Sequence, residues 1–338
     1  MTRLPRIDVH AHCIPSKVID RLDSEGPRLQ MIPTGRRAIE GLLIGGRVRT
    51  GPIRPDLLDL PRRLETMDAT GIDVQILSPW IDMTAYGLTG DAGLSFARMF
   101  NEELAGMVAA HPDRFRSVCT VPLQSPAAAA DELRYAVSEL GMVGVEIATT
   151  VAGRELDDPV LEPFWETAEE LGCLILLHPC SSLAGRGVSR YFLGNLVGNP
   201  AESTIAVGHL IFGGVLERHS GLKICVVHGG GFVPYQLGRW DHGYRQNARG
   251  AAVNLTRSPS EWATVLYYDT VLHSPTALRT LIDTVGAPQV VLGTDYPFEM
   301  GDSQAVRTVS AVPGLTEDDR NRILSTNLSM LIDGISTP

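Results

Sequence analysis

The stretch RIDVHAHCIP, residues 6–15, is a short apolar run that carries two histidines one residue apart, His10 and His12. Valine and isoleucine in such a run favour a strand. On a strand, residues i and i+2 share one face, so both imidazoles point into the same space. What that face looks at depends on the rest of the chain.

Seven further runs of the same kind follow. They are DVQILSP (73–79), RSVCTVP (116–122), VGVEIAT (143–149), LILLHP (174–179), KICVVHG (223–229), VLYYDTV (265–271) and VVLGTD (290–295). Continuously apolar strands belong to parallel sheets buried on both faces. Amphipathic segments alternate with them, at 57–70, 91–111, 125–141, 158–172, 200–218, 233–247, 274–285 and 316–332. Ser125 before Pro126 reads as an N-cap with proline at the first helical position, and Gly141 closes that helix. Eight strand–helix alternations predict an α/β protein, a (β/α)8 TIM barrel. A doubly wound open sheet competes, but it favours a glycine-rich phosphate loop after strand one, and that turn is HAHCIPS. The insert at about 13–56, rich in Gly, Pro and Arg, falls between strand one and helix one and is expected over the active-site mouth. With no internal repeat or linker, residues 1–338 read as a single domain.

In a barrel, strand C-termini converge on one face, where active sites sit. Strand one ends in His10 and His12, strand five in His178, strand six in His228 and strand eight in Asp295. His10, His12, His178 and Asp295 together make a set of neutral imidazoles plus a carboxylate, which suits Zn2+ and, less selectively, Mn2+, Fe2+ or Co2+. A lone strand-end histidine is more often a hydrogen-bonded core residue; a convergent set is harder to explain that way. His111, His209, His219 and His242 fall on helices or helix ends, where solvation or capping is the default, and His273 follows strand seven.

The net charge of −10 argues against a nucleic-acid or anionic-membrane surface. No run approaches the roughly 18 apolar residues of a membrane span. The five cysteines show no CxxC spacing, so a disulfide framework is not expected. The N-terminal MTRLPRIDVH lacks the apolar core of a signal peptide, and a cytoplasmic location is expected.

IDVHAHCIP, LLHPC, the segment GNPAESTIAVGHLIFGGVLERHSGLKICVVHGGGFVPYQLGRWDHG and GTDYPFEMGD together resemble the amidohydrolase superfamily, from residue 7 to about 330. The nearer resemblance is to its decarboxylase branch, typified by aminocarboxymuconate-semialdehyde decarboxylase. That resemblance implies one divalent metal, zinc first and manganese second, held by His10, His12, His178 and Asp295. It implies His228 as the nearby acid/base, with Asp295 as a second proton carrier. Hydrolytic members often carry a metal-bridging lysine at the end of strand four; here VGVEIAT has Glu146 instead, which favours a mononuclear site. Arg239, in GRWDHG, matches a family arginine that reaches the neighbouring subunit's pocket, implying a homodimer.

The reaction expected is decarboxylation of a small unsaturated or aromatic carboxylic acid. The alternative is a metal-dependent hydrolase or hydratase on the same scaffold, and a third reading is a metal-binding barrel without chemistry. A carboxylate substrate needs a cationic clamp, for which Arg47 and Arg49 in the insert are first candidates; a solvated surface charge is the competing reading for each. Trp80 and Phe298, each following a strand, are candidate pocket walls, with core packing as the alternative. The sequence departs from the branch at Cys180, where a tryptophan is common, and in IEGLLIGGRVRTGPIRPD, which aligns only loosely.

Overall fold

The computed structural model describes residues 3–180 and 187–333. Its strands are β1 (Ile7–Cys13), β2 (Met31–Pro33), β3 (Leu42–Ile44), β4 (Val48–Arg49), β5 (Val74–Pro79), β6 (Phe115–Cys119), β7 (Gly144–Ala148), β8 (Leu174–His178), β9 (Lys223–Val226), β10 (Tyr267–Asp269) and β11 (Val290–Val291). Eight of them form one parallel sheet in the order β1-β5-β6-β7-β8-β9-β10-β11. The ring closes between its first and last members. Val9 N–H donates to the Leu292 carbonyl at 2.9 Å, Asp295 N–H to the His10 carbonyl at 2.8 Å and His12 N–H to the Tyr296 carbonyl at 2.8 Å. All eight apolar runs read from the sequence are barrel strands, and the architecture is the (β/α)8 barrel.

The strands are apolar because helices cover the outside and side chains fill the inside, so neither face meets water. The patterns of β7 and β8 are buried at every position. Three strands fall furthest short of their apolar pattern. β9 stops at Val226 because His228 (φ 54°) and Gly229, Gly230 and Gly231 (φ 60°, 77° and 63°) turn into left-handed backbone. A side chain on these glycines would strike Leu272, Tyr268 and the Pro200 carbonyl, within 2.5, 2.5 and 2.2 Å. β11 pairs over two residues before the chain turns at Asp295, whose φ is 55°. β10 pairs over three.

The helical segments also differ in detail. The stretch expected at 200–218 is Asn199–Phe212 followed by Val215–Arg218, broken at Gly214 in left-handed backbone. The segment expected at 316–332 is interrupted by a π turn over Arg322–Thr326. The insert is folded rather than irregular: a helix Ser16–Glu25 leads into an antiparallel sheet in the order β2-β3-β4. Among the described residues, no helix is long and apolar enough to cross a membrane.

Candidate metal centre

Strand β1 delivers Asp8, His10 and His12, all buried. A one-residue bulge between Asp8 and Ala11, opposite β5, adjusts where the two imidazoles aim. The Nε2 atoms of His10 and His12 lie 3.1 Å apart, and each is 3.4 Å from Asp295 Oδ1. The His178 ring completes the group, its centroid 5.2 Å from that of His10 and 4.8 Å from that of His12.

The opposite nitrogens are all spoken for. His10 Nδ1 pairs with Asp269 Oδ2 at 2.7 Å, His12 Nδ1 with the Pro79 carbonyl at 3.0 Å and His178 Nδ1 with the Pro179 carbonyl at 2.7 Å. An acceptor at Nδ1 fixes the proton there, leaving Nε2 as a lone pair facing the common space. Asp295 Oδ1 is buried with no hydrogen-bond partner among the described residues. Ligand bonds of 2.0–2.2 Å at tetrahedral to octahedral angles separate neighbouring donor atoms by about 2.9–3.5 Å. Separations of 3.1–3.4 Å among His10, His12 and Asp295 therefore fit a single divalent ion, and His10, His178, His228 and Asp295 also bring donor atoms within 4.8 Å of one another.

Electrostatics agree. Burial pulls His10 and His178 below the ordinary imidazole range, keeping them neutral. Burial opposes ionisation of Asp295, but the surrounding histidines outweigh it and hold its carboxyl well below the usual range. For His12, burial is outweighed by Asp295 and Glu146, which raise it; a cation would compete with that proton.

His228 stands beside the group without joining the shared oxygen. Its Nε2 is 3.5 Å from Asp295 Oδ2, and its buried Nδ1 has no partner among the described residues. A cavity of about 420 Å³ opens over the cluster. Trp80 and Phe298 both line it, and Phe298 also packs edge-on against the His12 ring, 5.3 Å between centroids.

The arginines separate. Arg47 lines a neighbouring cavity, Arg49 lies exposed on β4, and Arg239 is exposed on the helix Val233–Arg245. The arginine that lines the metal cavity is Arg54, which also approaches the Phe298 ring at 5.9 Å and Glu299 at 3.7 Å. The expectation at Arg47 and Arg49 passed over it; Arg54 lies beyond β4, just ahead of the turn Pro55–Leu57.

Sequence reading also missed Asp269, buried on β10. Besides orienting His10, it accepts from Gly229 N–H at 2.8 Å, tying that ligand to the glycine turn beside His228. A lone acid inside the apolar run VLYYDTV was the available signal. Asp8 accepts from the N–H of His10 and of Thr294 (both 3.0 Å), the Thr294 hydroxyl (2.6 Å) and Gln75 Nε2 (2.9 Å), fastening β1 to the residue before Asp295. Glu146, in the middle of β7, lies 3.6 Å from His12 Nδ1 with neither oxygen hydrogen-bonded among the described residues, and burial pushes its carboxyl up to about 8.

A closed barrel with three imidazoles and a carboxylate converging at its C-terminal rim, and a fourth histidine uncommitted beside them, defines a metal-dependent barrel enzyme. The chain belongs to the amidohydrolase family, whose model matches residues 7–327. It is 33% identical over 265 residues to a 2-amino-3-carboxymuconate-6-semialdehyde decarboxylase from Dictyostelium discoideum, covering 78% of this chain and 74% of that one. Among solved structures, a 5-carboxyvanillate decarboxylase from Sphingomonas paucimobilis superposes with a TM-score of 0.83 at 25% identity, over 98% of this chain and all of that one. A dihydroxybenzoic acid decarboxylase from Polaromonas sp. JS666 superposes with a TM-score of 0.74 at 25% identity, over 98% and 97%; that structure holds manganese and the inhibitor 2-nitroresorcinol.

Proposed function

We propose that this chain is a metal-dependent carboxy-lyase that releases CO2 from a small unsaturated or aromatic carboxylic acid. The observation that carries the reading is the pairing of a neutral-imidazole and carboxylate donor set with an uncommitted histidine, His228, whose Nε2 is 3.5 Å from Asp295 Oδ2. The comparisons support it, since the relatives named above are decarboxylases.

A divalent ion held by His10, His12, His178 and Asp295 supplies positive charge against the negative charge that develops as CO2 leaves. The chain's own residues do the rest. Arg54 holds a carboxylate or other anionic oxygen at the cavity wall. Trp80 and Phe298 cover the faces of a flat substrate and exclude water from the reacting carbon. His228 carries the proton: as the carbon–carboxylate bond breaks, its electron pair stays on carbon and takes that proton, and solvent recharges the imidazole. Asp295 raises His228, outweighing the lowering effect of burial, and so favours the protonated ring.

The donor set favours zinc, with manganese as the competing ion given the Polaromonas structure. We assign the chain to one domain over residues 1–338 and to a homodimer in which Arg239 reaches the neighbouring cavity; Phe232 and Tyr235, 40% and 51% exposed near the start of the same helix, offer apolar surface for that contact. Five free cysteines suit a reducing compartment, the cytoplasm.

The test is product analysis after metal loading, with mass spectrometry fixing the ion. Released CO2 from 2,6-dihydroxybenzoate or a related acid is expected. A product heavier by one water with no CO2 would replace this reading with a hydratase or hydrolase.

A further inference from the structure

Beside the metal cavity lies a second and larger one, of about 650 Å³. Ile81 and Cys180 line both, so the two spaces share a wall. Ile44 and Val48 from the small antiparallel sheet form much of its apolar side, which makes the insert a roof over this space. Among the described residues, the small side chain of Cys180 stands at the boundary between the two spaces.

The second cavity contains an expensive feature. Asp82, in the turn Ile81–Thr84 after β5, points no hydrogen bond or ion pair at any described residue. Burial alone pushes its carboxyl up to about 6. Asp82 is half-buried at the cavity wall, so its carboxylate keeps only part of its hydration, and a donor on a ligand would complete its shell. Arg47, exposed at the same cavity, already has water to solvate it and needs no such partner.

We propose that the second cavity receives the distal part of an elongated acid, whose hydroxyl or amino group donates to Asp82 while its reacting carboxylate lies over the metal cluster. The substrate is then an aromatic or unsaturated acid with an apolar extension that ends in a hydrogen-bond donor. This rests on the decarboxylase reading and adds the substrate's shape to it.

The experiment compares 2-hydroxybenzoate with 5-(4-hydroxyphenyl)-2-hydroxybenzoate, and with the latter's counterpart lacking the distal hydroxyl. Turnover is scored as CO2 release, and binding to the metal-loaded protein by calorimetry. The hydroxylated long acid should exceed its deoxy counterpart by about tenfold in kcat/KM or affinity, the effect of one hydrogen bond to a carboxylate. Asp82→Asn keeps an acceptor oxygen but loses the charge and should cut that ratio severalfold, Asp82→Ala should remove it, and Cys180→Trp should weaken both long acids relative to the short one. Equal ratios in wild type and Asp82→Asn, or long acids that bind no better than the short one, would overturn the proposal. If none of the acids releases CO2, the decarboxylase reading fails, and the calorimetric ratios still judge the cavity.

Discussion

Asp82→Asn also has a consequence for stability that can be worked out before any substrate is known. Burial raises the Asp82 carboxyl from its ordinary 3.8 to about 6. A raised carboxyl means that the folded protein holds its proton over a range where the unfolded chain has already lost it. Stability therefore falls as pH rises from about 4 to about 6, and the penalty is complete above that. At about 1.4 kcal/mol per pKa unit, the full effect is about 3 kcal/mol at pH 7, about 1.6 at pH 5 and about 0.5 at pH 4. The carboxyl is only part-buried and keeps some hydration, so the gain on removing its charge should be about 1–3 kcal/mol at pH 7. With about 2 cal/mol/K of unfolding entropy per residue over 338 residues, that is about 1.5–4 °C in Tm. Thermal unfolding of both proteins at pH 4, 5 and 7, with the same metal concentration throughout, measures it; the ion stabilises both alike and cancels in the difference. A variant that gains nothing at pH 7, or that gains more as the pH falls, would refute the reasoning.

Replacing His228 with alanine should leave metal content unchanged while lowering kcat by about 10²–10⁴, the usual worth of a positioned acid; loss of the ion would make His228 a ligand. Asp269→Asn removes the carboxylate behind His10 and should weaken metal affinity by about 10–100-fold in a chelator competition, with the fold retained by circular dichroism. Arg54→Ala should raise KM for a single-ring acid by about tenfold or more, whereas Arg49→Ala should leave it within twofold. Arg239→Ala should raise KM without changing metal content, and an unchanged KM would remove that residue from the neighbouring site.

The barrel and the convergence of its strand-end histidines with Asp295 were legible because they rest on local rules. Each barrel strand is buried on both faces and so is largely apolar, and His10, His12, His178, His228 and Asp295 fall at or near the ends of the apolar runs. What was less legible depends on contacts across the fold. Asp269 gains its role from His10, more than 250 positions away in the chain, and no spacing encodes that. The clamp expected at Arg47 or Arg49 passed over Arg54, which stands beyond β4 and lines the cavity only through the folding of the insert against the barrel mouth. The ends of β9 and β11 were misplaced because left-handed backbone at His228 and Asp295 is imposed by packing, not by those residues' own preferences.

The seam that joins β1 to the residues after β11 sets an order of events during synthesis. His10 and His12 leave the ribosome long before Asp295, their shared neighbour. Until the seam forms, the nascent chain can present the imidazoles but not the carboxylate that neutralises and completes the set. Any ion that this set holds would therefore find the full set of donors only after the seam has closed.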